Sequence, residues 1–73
     1  MEEQVLRWGK RIRAFRKLKG FTQEELARDL HVSVSVIGSI ERGKKVPTTK
    51  LFEDIAQHLG VTIEELKAEG SGS

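Results

Sequence analysis

The stretch Ser33-Val-Ser-Val-Ile-Gly-Ser-Ile-Glu-Arg42 constrains the fold more than any other part of the chain. Together with Val32, its valines alternate with serines in the manner of a half-buried strand. Gly38 to Lys44 also match the G-x-x-x-x-G-K spacing of a phosphate-binding loop. Wound as a helix at ~100° per residue, the same residues put Ser33, Val36, Ile37 and Ile40 on one side. Val34, Ser35, Gly38, Ser39 and Arg42 then lie opposite. One side is apolar and the other small and polar, as a surface helix requires. The strand alternation collapses at Val36-Ile37, and no second strand-like run exists to pair with it. The loop match fails as well. Lys45 stands where a magnesium-holding Ser or Thr belongs, Pro47 interrupts the helix that should follow, and Glu41 would bring negative charge against the phosphates. The segment is predicted to be a short helix, capped by Ser33 and stopped by Gly43.

The flanking sequence also reads as helices. Val5, Trp8, Ile12 and Phe15 recur at helical spacing and predict a first helix from about Glu3 to Lys19, ended by Gly20. Glu2 and Glu3 sit at its positive end and Lys17 and Lys19 at its negative end, the favourable polarity. Gly9 within it marks either a close approach or a frayed first turn. Thr22-Gln-Glu-Glu25 is a capping box, with Phe21 placed to staple against Leu26. That second helix runs through Ala27 and Leu30 to His31. Thr48 after Pro47 starts a fourth, whose Phe52, Ile55, Ala56 and Leu59 form one face closed by Gly60. Thr62-Ile-Glu-Glu65 repeats the capping box before a last short helix ending near Lys67.

A chain of 73 residues makes one domain and buries only about 60 % of its unfolded surface. It has no cysteine, so disulfides and thiolate metal sites are excluded, and His31 and His58 lack the partners of a zinc site. Apolar packing and well-made helix ends must supply the stability. No apolar run reaches the roughly 18 residues of a membrane span. The charged N-terminus is unlike a signal peptide, which points to a cytoplasmic location. No nucleophile–base set, metal cluster or cofactor motif is present, and no catalytic residue is assigned. The net charge of +2 hides an asymmetry: residues 1–50 hold 12 Lys/Arg against 6 Asp/Glu, and residues 51–73 hold one Lys against 5 acids. A basic front and an acidic back orient a molecule toward a polyanion.

Five short helices with a tight turn between the second and third describe a helix-turn-helix arrangement. The residues in it resemble the lambda-repressor-like (Cro/repressor or Xre-type) DNA-binding domains. The matching positions are Ile12-Arg13 and Arg16, then Gly20-Phe-Thr-Gln-Glu-Glu-Leu-Ala27, Leu30, Val32-Ser33 and Ile37. They continue through Ile40-Glu-Arg-Gly43, Pro47 and Leu59-Gly-Val61, covering about residues 8 to 66. The resemblance implies an all-α, compact five-helix domain over residues 1–68, with helices 2 and 3 forming the motif. Residues 69–73 read as a flexible tail, linker or cloning scar, and the chain as a domain cut from a longer bacterial regulator. Three positions depart from the family pattern. His31 replaces the usual turn glycine, Thr49 replaces an apolar residue, and Gly38 stands where Ser or Thr is common. Histidine tolerates positive φ better than most residues, so the turn can survive with some strain.

The resemblance further implies a sequence-specific regulator, acting chiefly as a repressor, with helix 3 (residues 33–42) in the major groove. Ser33, Val34, Ser35 and Ser39 match base-contacting positions. Serine pairs with donor or acceptor alike and Val34 can meet a thymine methyl, so direct readout from these residues is modest. DNA shape then contributes, with Gln23, Arg42 and Lys44 as longer arms. Gln23 at the start of helix 2 matches a phosphate donor. Arg42, Lys44 and Lys45, with Arg13 and Lys10 on helix 1, are the cations expected on phosphates. Arg16 and Glu41 match an ion pair joining helix 1 to helix 3 and leaving Arg16 near the phosphates. The expected partner is double-stranded DNA, with a pseudo-palindromic operator read by a homodimer, half-sites about 34–36 Å apart. Helix 5 around Ile63 and Leu66, or a domain missing beyond residue 73, would join the copies. The competing reading is a protein–protein interaction module on the same fold.

Overall fold

A computed structural model describes residues 2–67. The order is α1 (Glu2–Leu18), α2 (Gln23–Leu30), α3 (Val34–Glu41), α4 (Thr49–Leu59) and α5 (Ile63–Lys67), with no strand among the described residues. The disputed stretch is therefore helical over Val34–Glu41, with Ser33 and Arg42 as its caps, as the apolar spacing requires. None of these helices is long and apolar enough to cross a membrane. The proposed tail, residues 69–73, lies outside the described residues.

Each helix end follows from a short local signal. Thr22 accepts from the Glu25 amide at 3.0 Å while its own amide donates to Glu25 Oε1 at 2.9 Å. Thr62 and Glu65 repeat the pair at 3.0 and 2.8 Å. Thr48 caps α4 by accepting from the Leu51 amide. Closing each box satisfies two amides that a bare helix start would leave open. His31 closes α2 at φ 61°, ψ 40°, in the left-handed region, and is the only non-glycine residue with positive φ among those described.

The core gathers Ile12 from α1, Leu26 and Ala27 from α2, and Ile37 and Ile40 from α3. Phe52, Ile55, Ala56 and Leu59 of α4 and Leu66 of α5 complete it. Trp8, Phe15, Phe21 and Leu30 pack half-buried around them. Fully burying one such aliphatic side chain stabilises by about 1.5–3 kcal/mol, so this cluster is the main source of stability in a chain without cysteines. Trp8 meets the Phe52 ring edge-on at 5.3 Å between centroids, joining α1 to α4. His58 of α4 lies 3.0 Å from Asp29 of α2 and against Phe21, holding that side of the motif to the rest.

One expectation is overturned, and of the two readings left open for Gly9 the close approach holds. Leu66 is fully buried within the domain, so it cannot form a contact between copies as suggested for helix 5. Gly9 marks no frayed turn. A Cβ there would lie 2.3 Å from the Ile40 carbonyl oxygen and 2.6 Å from that of Glu41, so only glycine lets α1 come this close to α3.

Candidate nucleic-acid interface

The motif is built by two consecutive turns of backbone chemistry. The His31 amide donates to the Arg28 carbonyl at 3.2 Å and the Val32 amide to that of Ala27 at 3.0 Å, so α2 stops sharply. Two residues later Ser33, in extended geometry, accepts from the Val36 amide at 3.4 Å and starts α3. Val32 anchors the turn against the core. Behind it, Ile37 and Ile40 of α3 are almost wholly buried, which fixes which side of α3 faces out.

The C-terminal end of α3 is held by α1. Arg16 donates to Glu41 through Nε at 2.6 Å and Nη2 at 3.1 Å, and through Nη1 to the Phe21 carbonyl at 2.7 Å. Both charged residues are only 6 % exposed. The pair is thus present, and Arg16 commits all three guanidinium nitrogens inward. Gly43, at φ 75°, sits against Leu6 so closely that a Cβ would fall 2.9 Å from the Leu6 Cα. Backbone-to-backbone contact at Gly9 and Gly43 and the ion pair between them therefore fix the angle of α3 on α1.

Gln23 joins this network. Its Nε2 donates to Glu41 Oε1 at 3.0 Å, half-buried. That fixes the amide orientation and turns Oε1 toward the outward face of α3. Gly38 on that face is buried, where the helical wheel placed it in the open. A Cβ on Gly38 would lie 3.1 Å from Arg42 Nη1 and 3.8 Å from both Arg42 Cζ and Gln23 Oε1. Arg42 folds back along α3 and covers it, following the N-terminal lean of helical side chains. The sequence held a signal for this: a glycine four residues before an arginine on one helical face.

The other predicted residues fall as follows. Val34 is 42 % exposed and Ser35 is exposed, while Ser39 is half-buried. Ser33 and Ser35 share a hydroxyl contact of 3.0 Å, so the cap and the exposed Ser35 are linked. Arg42, Lys44 and Lys45 are exposed at and just beyond the end of α3. Lys10 and Arg13 are exposed on α1. On the helical wheel Arg13 lies ~40° from the Gly9 line that touches α3 and Lys10 ~100°, so Arg13 flanks the interface more closely.

An all-helical domain with a capped two-helix motif, whose second helix is pinned at one end and open at the other, is the frame of a groove reader. The chain belongs to the helix-turn-helix family, whose model matches residues 12–66. It is 50 % identical over 66 residues to the uncharacterised HTH-type transcriptional regulator YazB of Bacillus subtilis, covering 90 % of this chain and 93 % of that protein. Its fold is similar to that of the restriction-modification controller protein C.AhdI from Aeromonas hydrophila. That match has a TM-score of 0.83 and 30 % identity, covering 88 % of this chain and 97 % of the other. The clp gene regulator ClgR from Corynebacterium glutamicum gives 0.83 and 32 %, covering all of this chain and 91 % of that one.

Proposed function

We propose that the protein is a DNA-binding transcriptional regulator that recognises a specific double-stranded sequence and represses by occupying it. The observation that carries this reading is the division of α3: Ile37 and Ile40 are sealed in the core while Val34 and Ser35 face solvent. A helix buried on one side and small and polar on the other fits the width of the major groove. Ser33, Val34, Ser35 and Ser39 would meet base edges there. Lys44 and Lys45, with Gln23 and the amides at the α2 N-terminus, would take phosphates, and Arg13 and then Lys10 would add outer contacts. The HTH-type regulators among its relatives support the same assignment. Two copies would bind a pseudo-palindrome, joined through the side of α5 beside the half-buried Ile63.

Selection of bound duplexes from a random pool tests this directly. The expected result is a symmetric motif with half-sites about one helical turn apart, bound with an affinity that falls steeply as salt rises. Weak binding that neither salt nor sequence changes would instead favour the interaction-module reading.

A further inference from the structure

We infer that Arg42 reads a base, a guanine in the major groove, and that Gly38 is the specificity-determining residue that places it there. The inference rests on α3 lying in that groove. Sequence alone counted Arg42 among the longer arms that could supplement readout and among the phosphate-binding cations beside Lys44 and Lys45, and it assigned Arg42 no base. Its geometry is different. The guanidinium does not extend beyond α3 but returns one turn, until Nη1 hangs over Gly38 at 3.1 Å from where a Cβ would be. That spot lies in the middle of the outward face, which otherwise carries only Val34, Ser35 and Ser39. These side chains are short and none can make two parallel hydrogen bonds to one base.

The guanidinium is also free to act. Arg42 makes no ion pair among the described residues. The nearby carboxylate of Glu41 is already taken by Arg16, and by Gln23. Gln23 presents only its neutral Oε1 toward this site, at 3.8 Å from the Gly38 Cβ position. An unneutralised planar fork held against a helix face that enters the groove matches the O6 and N7 acceptors that guanine alone displays together. Gly38 makes this possible: any side chain there would occupy the space where the fork rests. The glycine, unfavourable in a helix interior, thus has a physical reason to be present.

The test uses the whole chain as wild type, Arg42→Ala, Gly38→Ala and the double variant, each put through selection from a random duplex pool. Affinity is then measured on the selected site and on single-base changes of it. Wild type is expected to enrich a guanine at one position of each half-site. Arg42→Ala should abolish preference at that position alone, about tenfold or more, with other positions unchanged. Gly38→Ala should weaken the same preference severalfold, since the guanidinium must shift by a few tenths of an ångström. Alanine is the better helix former and its neighbours are flexible side-chain ends, so the melting midpoint should hold or rise. The double variant should lose no more preference than Arg42→Ala, because both changes act through one contact. Suppose instead that wild type enriches a motif and Arg42→Ala keeps it, with uniformly weaker binding and a shallower salt slope. Arg42 is then a phosphate contact and the inference falls alone. If wild type enriches nothing, the regulator reading falls and takes the inference with it.

Discussion

The two ends of α3 are held in opposite ways. At the C-terminal end, Glu41 is chelated by Arg16, and the Ile40 and Glu41 carbonyls press on Gly9. Gly43 is wedged against Leu6. At the N-terminal end, Ser33 supplies a single cap of 3.4 Å, and Val34 and Ser35 look into solvent. The contrast teaches a division of labour within one eight-residue helix. One end is bound to the scaffold and sets where the helix points. The other rests on the core through Val36 and Ile37 but leaves Val34 and Ser35 in solvent, so changes at those two should leave the fold intact.

That division can be broken most severely at Glu41. Glu41→Ala leaves the Arg16 guanidinium buried without its carboxylate and frees the Gln23 amide. Breaking a buried pair this way costs about 3–5 kcal/mol, a large part of the stability of so small a domain. Denaturant titration would show it, and a loss under 1 kcal/mol would mean that the pair is not what holds this end. Gly9→Ala comes next. Alanine favours a helix, but its Cβ meets carbonyl oxygens that cannot move without α3, so about 1–3 kcal/mol of destabilisation is expected. A rise in melting midpoint would show that α1 and α3 can separate at no cost. The smallest stability effect belongs to the free end. Ser35→Ala should change unfolding free energy by less than about 0.5 kcal/mol while altering affinity for the selected DNA. A stability loss as large as that at Gly9 would erase the distinction between the ends.

Much of this was legible before any coordinates. The two Thr-x-x-Glu boxes, the Ser33 cap and the glycine stops at 20, 43 and 60 lie within a few residues of what they act on. Such signals survive in the bare sequence because their hydrogen bonds are local. The left-handed turn at His31 was legible only through the resemblance, because His31 stands where the family has a turn glycine. The outward side of α3 was legible from the spacing of Ile37 and Ile40. Leu66 was misjudged because a five-residue helix has too few turns to show which side is covered by α1 and α4. Gly38 was placed in the open because a helical wheel locates the backbone position and not the long side chain that folds back over it. The inward commitment of Arg16 depended on the Phe21 carbonyl, which the α1 end brings within 2.7 Å.

The amino-acid order by itself determined the number of helices, their ends and the apolar side of the four longer ones, since these depend on contacts within one or two turns. Only the tertiary structure decided how closely α1 approaches α3 and which side chains share the Glu41 carboxylate. Those outcomes depend on residues 18 to 37 positions apart competing for the same few ångströms of space, as Gly43 does with Leu6 and Gln23 with Arg16 for Glu41. No local pattern carries that information, because it exists only once the helices have met.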